Sequence, residues 1–225
     1  MKNSLLVSFL LLSFIGKAQT IQSPSKQISL TFSLSNEGKP TYEVLYKNKP
    51  IVKPSSLGIK LKEGGDMTLG FIIDSVGKEV TVNKSWQPIL GEQSTIINNY
   101  NELTIALKQK SSDRKLNIIF RVFNEGIAFR YDFPKQSKLN YFIISDEVSE
   151  FHLTGNHKAF WLPGDFDSQE YAYTESKLSE INTDKIDLNN GIGLKSIAGK
   201  YVVQSPLMMK SADNIYLNIF EAAVV

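Results

Sequence analysis

The sequence predicts an all-β protein, and more specifically a large antiparallel β-sandwich. Short runs rich in β-branched and aromatic residues recur at intervals of roughly 8–12 residues, separated by turns rich in Gly, Pro, Asn and Asp. Several of these runs alternate apolar and polar residues with a period of two, which is typical of half-buried strands. Hydrophobic residues make up 42% of the 225 residues and aromatic residues 11%, enough for a packed core.

Composition excludes several classes of function. The chain has 25 basic and 23 acidic residues spread along its length, so it carries no basic patch for nucleic acid. It has no cysteine, which rules out disulfides, a thiolate nucleophile and a cysteine metal site.

The first 18 residues have the features of a signal peptide. Lys2 supplies a short positive region, and residues 5–15 are apolar. Gly16-Lys17-Ala18 then offers small residues at the positions that signal peptidase recognises. We expect cleavage between Ala18 and Gln19, and a periplasmic or secreted protein. The apolar run is shorter than the roughly 20 residues of a membrane span, and no later segment supplies one. The β-sandwich then occupies residues 19–225.

The predicted elements follow one another as strands joined by turns. The predicted strands before residue 115 are 28–34, 41–46, 51–52, 55–61 and 103–108, with a less regular piece at 71–82 and a loop or irregular edge at 85–92. The predicted elements after residue 134 are strands at 141–144, 150–153, 191–196, 201–203 and 215–220, a loop at 160–173 and a short helical turn within 174–187.

Residues 116–133 are expected to form a β-hairpin around Asn124-Glu125-Gly126, with Gly126 supplying a positive φ in a two-residue loop. The expected pairs are Val122 with Phe129, Phe120 with Tyr131, Ile118 with Phe133, and Arg121 with Arg130. This register makes one face wholly apolar. A three-residue loop would separate the arginines but mix polar and apolar residues on both faces.

Energetics favour the two-residue loop. Burying each aromatic side chain is worth roughly 1.5–3 kcal/mol, whereas two like charges in opposed positions cost about 0.2–1 kcal/mol. We therefore expect carboxylates, Asp132 among them, to neutralise Arg121 and Arg130.

The chain stops on the apolar run 215–225, which leads us to expect a fragment of a longer protein.

A set of motifs, taken in order, resembles the N-terminal domain of glycoside hydrolase family 97, the calcium-dependent α-glucosidases and α-galactosidases. The matching segments are Ser23-Pro24, Tyr42-Glu43-Val44, Ser56-Leu57-Gly58, Trp86-Gln87-Pro88, Gly91-Glu92, Tyr100-Asn101-Glu102-Leu103, the hairpin residues 120–131, Asp146-Glu147, Phe151, Trp161-Leu162-Pro163, Glu170-Tyr171 and Glu221-Ala222-Ala223. The resemblance runs from about Ser23 to the C-terminus.

The resemblance implies a β-sandwich of the galactose-mutarotase type, packed against a downstream (β/α)8 barrel that carries the general acid and base. No catalytic residue is therefore expected in this chain, and the substrate of the whole enzyme would be an α-linked oligosaccharide. The family binds Ca²⁺ chiefly through barrel glutamates, with one glutamate from this domain. That ligand maps onto Glu170, or onto Glu221 as the second choice. Phe220 stands where the family usually has histidine.

The residues themselves leave alternatives open. Glu170 follows Asp165 and Asp167, so calcium binding is chemically reasonable, but a solvated acidic loop is an equally simple interpretation. Trp161 could stack on a sugar ring, as could Trp86, and either could instead be a core residue.

Arg121 and Arg130 are more simply explained by a structural ion network than by a grip on a carboxylate substrate. His152 and His157 lack an evident third ligand for zinc. A different class of function also stays open, a free-standing carbohydrate-binding module without catalysis.

Overall fold

The computed structural model describes residues 18–186 and 196–222 of the chain. The chain divides into two compact units, the first ending at Thr154 and the second beginning at Gly155. Among the described residues, helix is confined to two 3₁₀ helices, Leu178–Glu180 and Thr183–Lys185. The prediction of an all-β, antiparallel sandwich is therefore confirmed. None of the described helices is long and apolar enough to cross a membrane.

The first unit consists of two large antiparallel sheets and a short strand pair. Its strands are β1 (Gln19–Gln22), β2 (Ile28–Leu34), β3 (Pro40–Tyr46), β4 (Lys49–Ser56), β5 (Ile59–Leu61), β6 (Phe71–Val76), β7 (Val80–Trp86), β8 (Ile96–Gln109), β9 (Lys115–Phe123), β10 (Ile127–Asp132) and β11 (Ile144–Glu147). One sheet has the order β1-β2-β3-β4, the other has the order β10-β9-β8-β6 with β7 also paired to β8, and β11 pairs with β5.

The two large sheets share one hydrophobic core. Every second residue of β9 is buried, and so is every second residue of β2 from Ile28 to Phe32, as the alternating sequences predict. Leu30 from one sheet and Ile118 from the other are fully buried in this core. The Phe32 and Phe120 rings, one from each sheet, lie 5.8 Å apart between their centroids. This packing of two inner faces is the geometry of a β-sandwich.

The predicted hairpin forms, with the predicted apolar face but a different register. β9 and β10 pair Val122 with Ile127, Phe120 with Phe129 and Ile118 with Tyr131. Four residues, 123–126, therefore separate the last paired residues, and the two-residue loop is wrong. Gly126 does not have a positive φ. A shift of two residues keeps every side chain on its own face, so burial alone could not distinguish the two registers.

A distant contact accompanies the longer loop. The backbone N–H of Ser25 donates to the side-chain carbonyl of Asn124 at 2.8 Å, and the N–H of Phe123 donates to the Gly126 carbonyl at 2.8 Å. The first of these partners is 99 residues away in sequence. No local turn rule could have anticipated it.

The predicted pairing of the two arginines is also wrong. Arg121 lies opposite Ala128, and Arg130 is exposed opposite Ile119. A carboxylate does neutralise Arg121, but it belongs to Glu102 on β8, whose Oε2 is 2.6 Å from the arginine Nε. The predicted carboxylate, Asp132, instead accepts a hydrogen bond from the Asn117 side chain at 2.8 Å. A structural ion pair is thus confirmed for Arg121 only.

Other strand predictions in the first unit had mixed outcomes. Strand 28–34 coincides with β2, and 41–46 and 103–108 lie within β3 and β8. Trp86 is the last residue of β7, so the segment 85–92, expected to be a loop or an irregular edge, begins within a strand. Residues 150–153 are not a strand, although Leu153 makes an isolated bridge to Val52. Of 141–144 only Ile144 is in a strand, and that strand, β11, continues to Glu147.

The second unit contains one four-stranded antiparallel sheet in the order β13-β12-β14-β15. Its strands are β12 (Lys158–Trp161), β13 (Thr174–Lys177), β14 (Leu207–Lys210) and β15 (Tyr216–Ile219). The helical turn predicted within 174–187 corresponds to the two 3₁₀ helices, and β15 confirms the strand at 215–220. The piece 201–203 is a turn with one bridge at Val203. Of the predicted strand 191–196, residues 191–195 lie outside the described part.

Candidate functional site

Both candidate glutamates lie at one end of the four-stranded sheet of the second unit. β12 ends at Trp161, and the loop 162–173 connects it to β13. β14 runs antiparallel to β12 and β15, pairing Leu207 with Ile219. The end of β12, the start of β14 and the end of β15 are therefore on the same side. We call this region, made of residues 162–173, 204–206 and 220–222, the Glu170 end of the sheet.

Asp165 organises the loop at the Glu170 end. Its carboxylate accepts four hydrogen bonds: from the Tyr171 hydroxyl at 2.6 Å, and from the backbone N–H groups of Asp167, Ser168 and Ser196 at 2.7, 3.0 and 3.0 Å. The hydrogen bond from Tyr171, joined by those from the backbone, lowers the pKa of Asp165 to about 2. The same contact with Asp165 raises the pKa of Tyr171 to about 12. Asp165 is thus ionised and committed to holding the loop.

Further contacts tie the loop to the chain before β14. The N–H of Gly164 donates to the Val202 carbonyl at 2.8 Å. The side-chain amide of Gln204 donates to the Ser168 carbonyl at 2.7 Å. Of the loop predicted for residues 160–173, residues 162–173 form a loop with a defined shape, whereas residues 160–161 belong to β12.

Glu170 and Glu221 flank the same dipeptide, Gln204-Ser205. Gln204 holds the carbonyl of Ser168, two residues before Glu170, and the Ser205 hydroxyl accepts from the N–H of Glu221 at 3.2 Å. Both glutamates are exposed. Neither carboxylate forms a hydrogen bond or ion pair within the described part of the chain. The structure thus brings the first and second choices for the calcium ligand to one region.

These residues do not make a complete metal site. Within residues 18–186 and 196–222 there is no group of three or more His, Cys, Asp or Glu side chains that could hold a metal ion. Calcium takes six to eight oxygen ligands, and the oxygens of Asp165 are already occupied by donors. The exposed carboxylate of Glu170 fits one ligand contributed to a larger site, not a whole calcium site. Calcium binding by Glu170 therefore stays a prediction.

Trp161 differs from what its sequence context suggested. It is the last residue of β12, is 1% exposed, and donates from its indole N–H to the Ser176 hydroxyl at 3.0 Å. Its placement in a loop was wrong. Sugar contact by Trp161 stays untested, although burial of the ring disfavours it. Trp86 belongs to the first unit and is half exposed.

Sequence reasoning missed three exposed aromatic side chains at the Glu170 end. Phe166, Phe220 and Tyr173 are 81%, 63% and 60% exposed. The signal for Phe166 and Tyr173 was present, because both lie in the aromatic and acidic segment 160–173. Trp161 was preferred because it precedes a proline in a segment predicted to be a loop.

The first unit has a shallow polar pocket that does not suit hydrolysis. Its lining includes Gln22, Ser23, Lys26, Glu79 and Asn101. Only one of these carries a carboxylate, whereas glycoside hydrolysis uses two across the scissile bond. This pocket is therefore a weaker candidate than the Glu170 end.

Comparison with known proteins decides the family. The profile of the glycosyl-hydrolase 97 N-terminal family matches residues 21–225. The chain belongs to this family. Family-97 enzyme structures from Pseudoalteromonas sp. strain K8, one in complex with panose and another with acarbose, are 27% identical to this domain, with a TM-score of 0.78.

Each of these matches covers 92% of this chain and 29% of the enzyme chain. A β-arabinopyranosidase, 20% identical with a TM-score of 0.76, shares the fold over 92% of this chain and 32% of its own. The family-97 domain described here thus spans less than a third of the length of these enzymes.

Proposed function

We propose that this domain is the N-terminal β-sandwich part of an exported, calcium-dependent α-glycoside hydrolase of the α-glucosidase or α-galactosidase type. It supports a downstream (β/α)8 barrel, lines one side of the sugar pocket and contributes one carboxylate, that of Glu170, to Ca²⁺. The observation that carries the proposal is the exposed carboxylate of Glu170, which has no hydrogen bond or ion pair within residues 18–186 and 196–222, on a loop whose shape is held by Asp165.

The loop geometry supports a contributed ligand. A side chain that binds a metal from a separate domain must be held in place beforehand, because each ordered group costs conformational entropy on binding. The four hydrogen bonds to Asp165 supply that order five residues before Glu170. Calcium itself would supply electrophilic stabilisation at the sugar. The remaining ligands, and the acid and base, would come from the barrel.

The exposed aromatic side chains at the Glu170 end support the proposal that this end faces the barrel and the sugar pocket. Phe166, Phe220 and Tyr173 together form a more apolar region than a solvated loop requires. Aromatic faces suit both a domain interface and the apolar face of a sugar ring. The complexes of the Pseudoalteromonas enzyme with panose and acarbose make an α-linked oligosaccharide the natural first substrate to test.

The test on this chain alone is an activity assay with aryl α-glucoside and aryl α-galactoside in the presence of calcium. We expect no turnover, since no acid and base pair is assigned to this chain. We also expect no heat of binding with a maltooligosaccharide in calorimetry. Measurable hydrolysis would overturn the proposal, and sugar binding without hydrolysis would favour the free-standing carbohydrate-binding module.

The test of the ligand uses the protein with its catalytic barrel. Replacing Glu170 by Gln should weaken calcium binding by about tenfold or more, as expected for loss of a charged oxygen ligand. The matched control is Glu221→Gln at the same end of the sheet. If Glu221→Gln weakens calcium binding and Glu170→Gln does not, the second choice is the ligand. Export is tested by N-terminal sequencing of the mature protein, which should begin at Gln19.

A further inference from the structure

Strand β7 leaves one sheet edge of the first unit open. It pairs with β8 over seven consecutive residues, Val80–Trp86, and with no other strand in the described part of the chain. Six of its seven residues are exposed. The backbone groups on its outer side are therefore available to pair with another strand.

The other edges of the two large sheets are protected in ways that β7 is not. β4 carries two lysines and two prolines and has register shifts against β3. β6 carries Asp74 and a register shift against β8. β1 has four residues, and β10 carries Arg130 and Asp132. Short length, charge, proline and bulges are the usual means of blocking edge pairing. β7 has only Lys84, no proline and no register shift.

The ribbon formed by residues 83–99, at the end of β7 and the start of β8, is also apolar and extends beyond the part of β8 that pairs with β9. Residues 83–86 of β7 pair with residues 96–99 of β8, which have no partner on β9. Four large apolar side chains of this ribbon are exposed: Trp86 49%, Ile89 99%, Leu90 88% and Ile97 70%. A two-stranded ribbon of this kind is marginally stable in water on its own. An additional strand would stabilise it.

The ribbon is nonetheless anchored firmly at its base. Tyr100 of β8 is buried, and its ring centroid lies 4.9 Å from that of Phe123. The guanidinium of Arg121 lies 4.8 Å above the same ring and is paired with Glu102. The open edge is thus held in position before any partner arrives, which lowers the entropic cost of binding.

We propose that β7 is a dimerisation strand, pairing antiparallel with β7 of a second copy of this chain to join the two five-stranded sheets. The strand is self-complementary. Pairing about Asn83 sets Val80 opposite Trp86 of the other copy and Thr81 opposite Ser85, while Lys84 faces Val82 and not another charge. Aromatic and β-branched residues form favourable cross-strand pairs. A two-fold axis repeats each contact, as a closed dimer requires.

A cysteine placed at the proposed two-fold axis tests the pairing directly. The chain has no cysteine, so Asn83→Cys introduces a single thiol. Opposed residues in antiparallel strands have Cα atoms about 4.5–5.5 Å apart, within the range of a disulfide. Mild oxidation should give a covalent dimer of Asn83→Cys. The matched control, Glu125→Cys on the exposed hairpin loop, should give no covalent dimer under the same oxidation.

Analytical ultracentrifugation of the purified protein tests the dimer without cross-linking. Val80→Lys with Trp86→Lys should weaken the dimer by about tenfold, because it opposes like charges twice. Val80→Lys with Trp86→Glu should restore it, because it opposes unlike charges. Far-UV circular dichroism establishes that each variant folds. A monomer at every accessible concentration, or a dimer unaffected by the two lysines, would overturn the proposal, and neither result bears on the glycosidase role.

Discussion

Truncating Phe120 to alanine removes a side chain from the centre of the sandwich. Phe120 is 0% exposed, and its ring lies 5.8 Å from that of Phe32 on the facing sheet and 6.4 Å from that of Phe129 on β10. The variant therefore loses burial of a whole aromatic ring and two ring contacts. It also leaves a cavity that surrounding strands can only partly fill.

The expected cost follows from these contacts. A buried Phe→Ala substitution destabilises by about 3–5 kcal/mol, a large part of the roughly 5–15 kcal/mol that a protein of this class possesses. At about 2–4 °C per kcal/mol for a chain of this length, the melting temperature of the first unit should fall by about 6–20 °C.

Phe123→Ala on the same strand is the matched control. Phe123 faces the other side of the sheet, is half-buried and contacts the Tyr100 ring at 4.9 Å. Its loss should cost about 1–3 kcal/mol, from half of a ring's burial and one aromatic pair, without the cavity left by Phe120→Ala.

Differential scanning calorimetry and guanidinium denaturation measure both Phe120→Ala and Phe123→Ala. Equal losses in the two variants would refute the assignment of β9 faces, and with it the sandwich packing described here.

Three further predictions concern single contacts. Glu102→Gln should destabilise by about 1 kcal/mol or less, because its ion pair with Arg121 is only partly buried; chemical denaturation measures this. Gly38→Ala should cost more stability than Gly65→Ala, since both have positive φ but only at Gly38 would a Cβ collide with the backbone of β6; thermal melts compare them. The pKa of Asp165 is about 2, below its unfolded value of about 3.9, so its contribution is present above pH 4 and is lost as pH falls towards 2. Asp165→Asn should remove that dependence from melting curves.

Each of these has an outcome that would contradict it. A loss well above 1 kcal/mol in Glu102→Gln would mean that the pair is more buried than its exposure indicates. Equal melting temperatures for the two glycine variants would remove the steric argument. If Asp165→Asn still loses melting temperature between pH 4 and pH 2 as the unaltered protein does, other carboxylates cause that loss.

The fold class and the faces of the strands were predictable because both depend on a local period of two. Strand 28–34 and the apolar face of β9 and β10 were read correctly from alternation alone. The register of the hairpin was not predictable from alternation, because a shift of two residues between β9 and β10 preserves both faces. The partner of Arg121 was missed for a related reason. Glu102 is a neighbour only across the β8–β9 pairing.

The two candidate glutamates were named from motif order, and their role as calcium ligands stays a prediction; their position at one end of a sheet came only from the structure. The motif order pointed to Glu170 and Glu221, and the family match confirmed the resemblance on which they rest. That Trp161 is buried depends on pairing of β12 with both β13 and β14, strands distant in sequence. Sequence alone could not distinguish a buried tryptophan from an exposed one two residues before a proline.

The amino-acid sequence by itself determined the all-β class and the inward and outward faces of the strands, because both follow from local periodicity. It also determined the family, because the family's motifs occur in order along the chain. Only the tertiary structure decided which residues contact one another, such as Arg121 with Glu102, and Asp165 with Tyr171 and Ser196. It also placed Glu170 and Glu221 at the same end of a sheet, near the dipeptide Gln204-Ser205. The physical reason is that hydrogen bonds and ion pairs form between neighbours in space. Strand order and register set that neighbourhood through contacts between residues far apart in the chain.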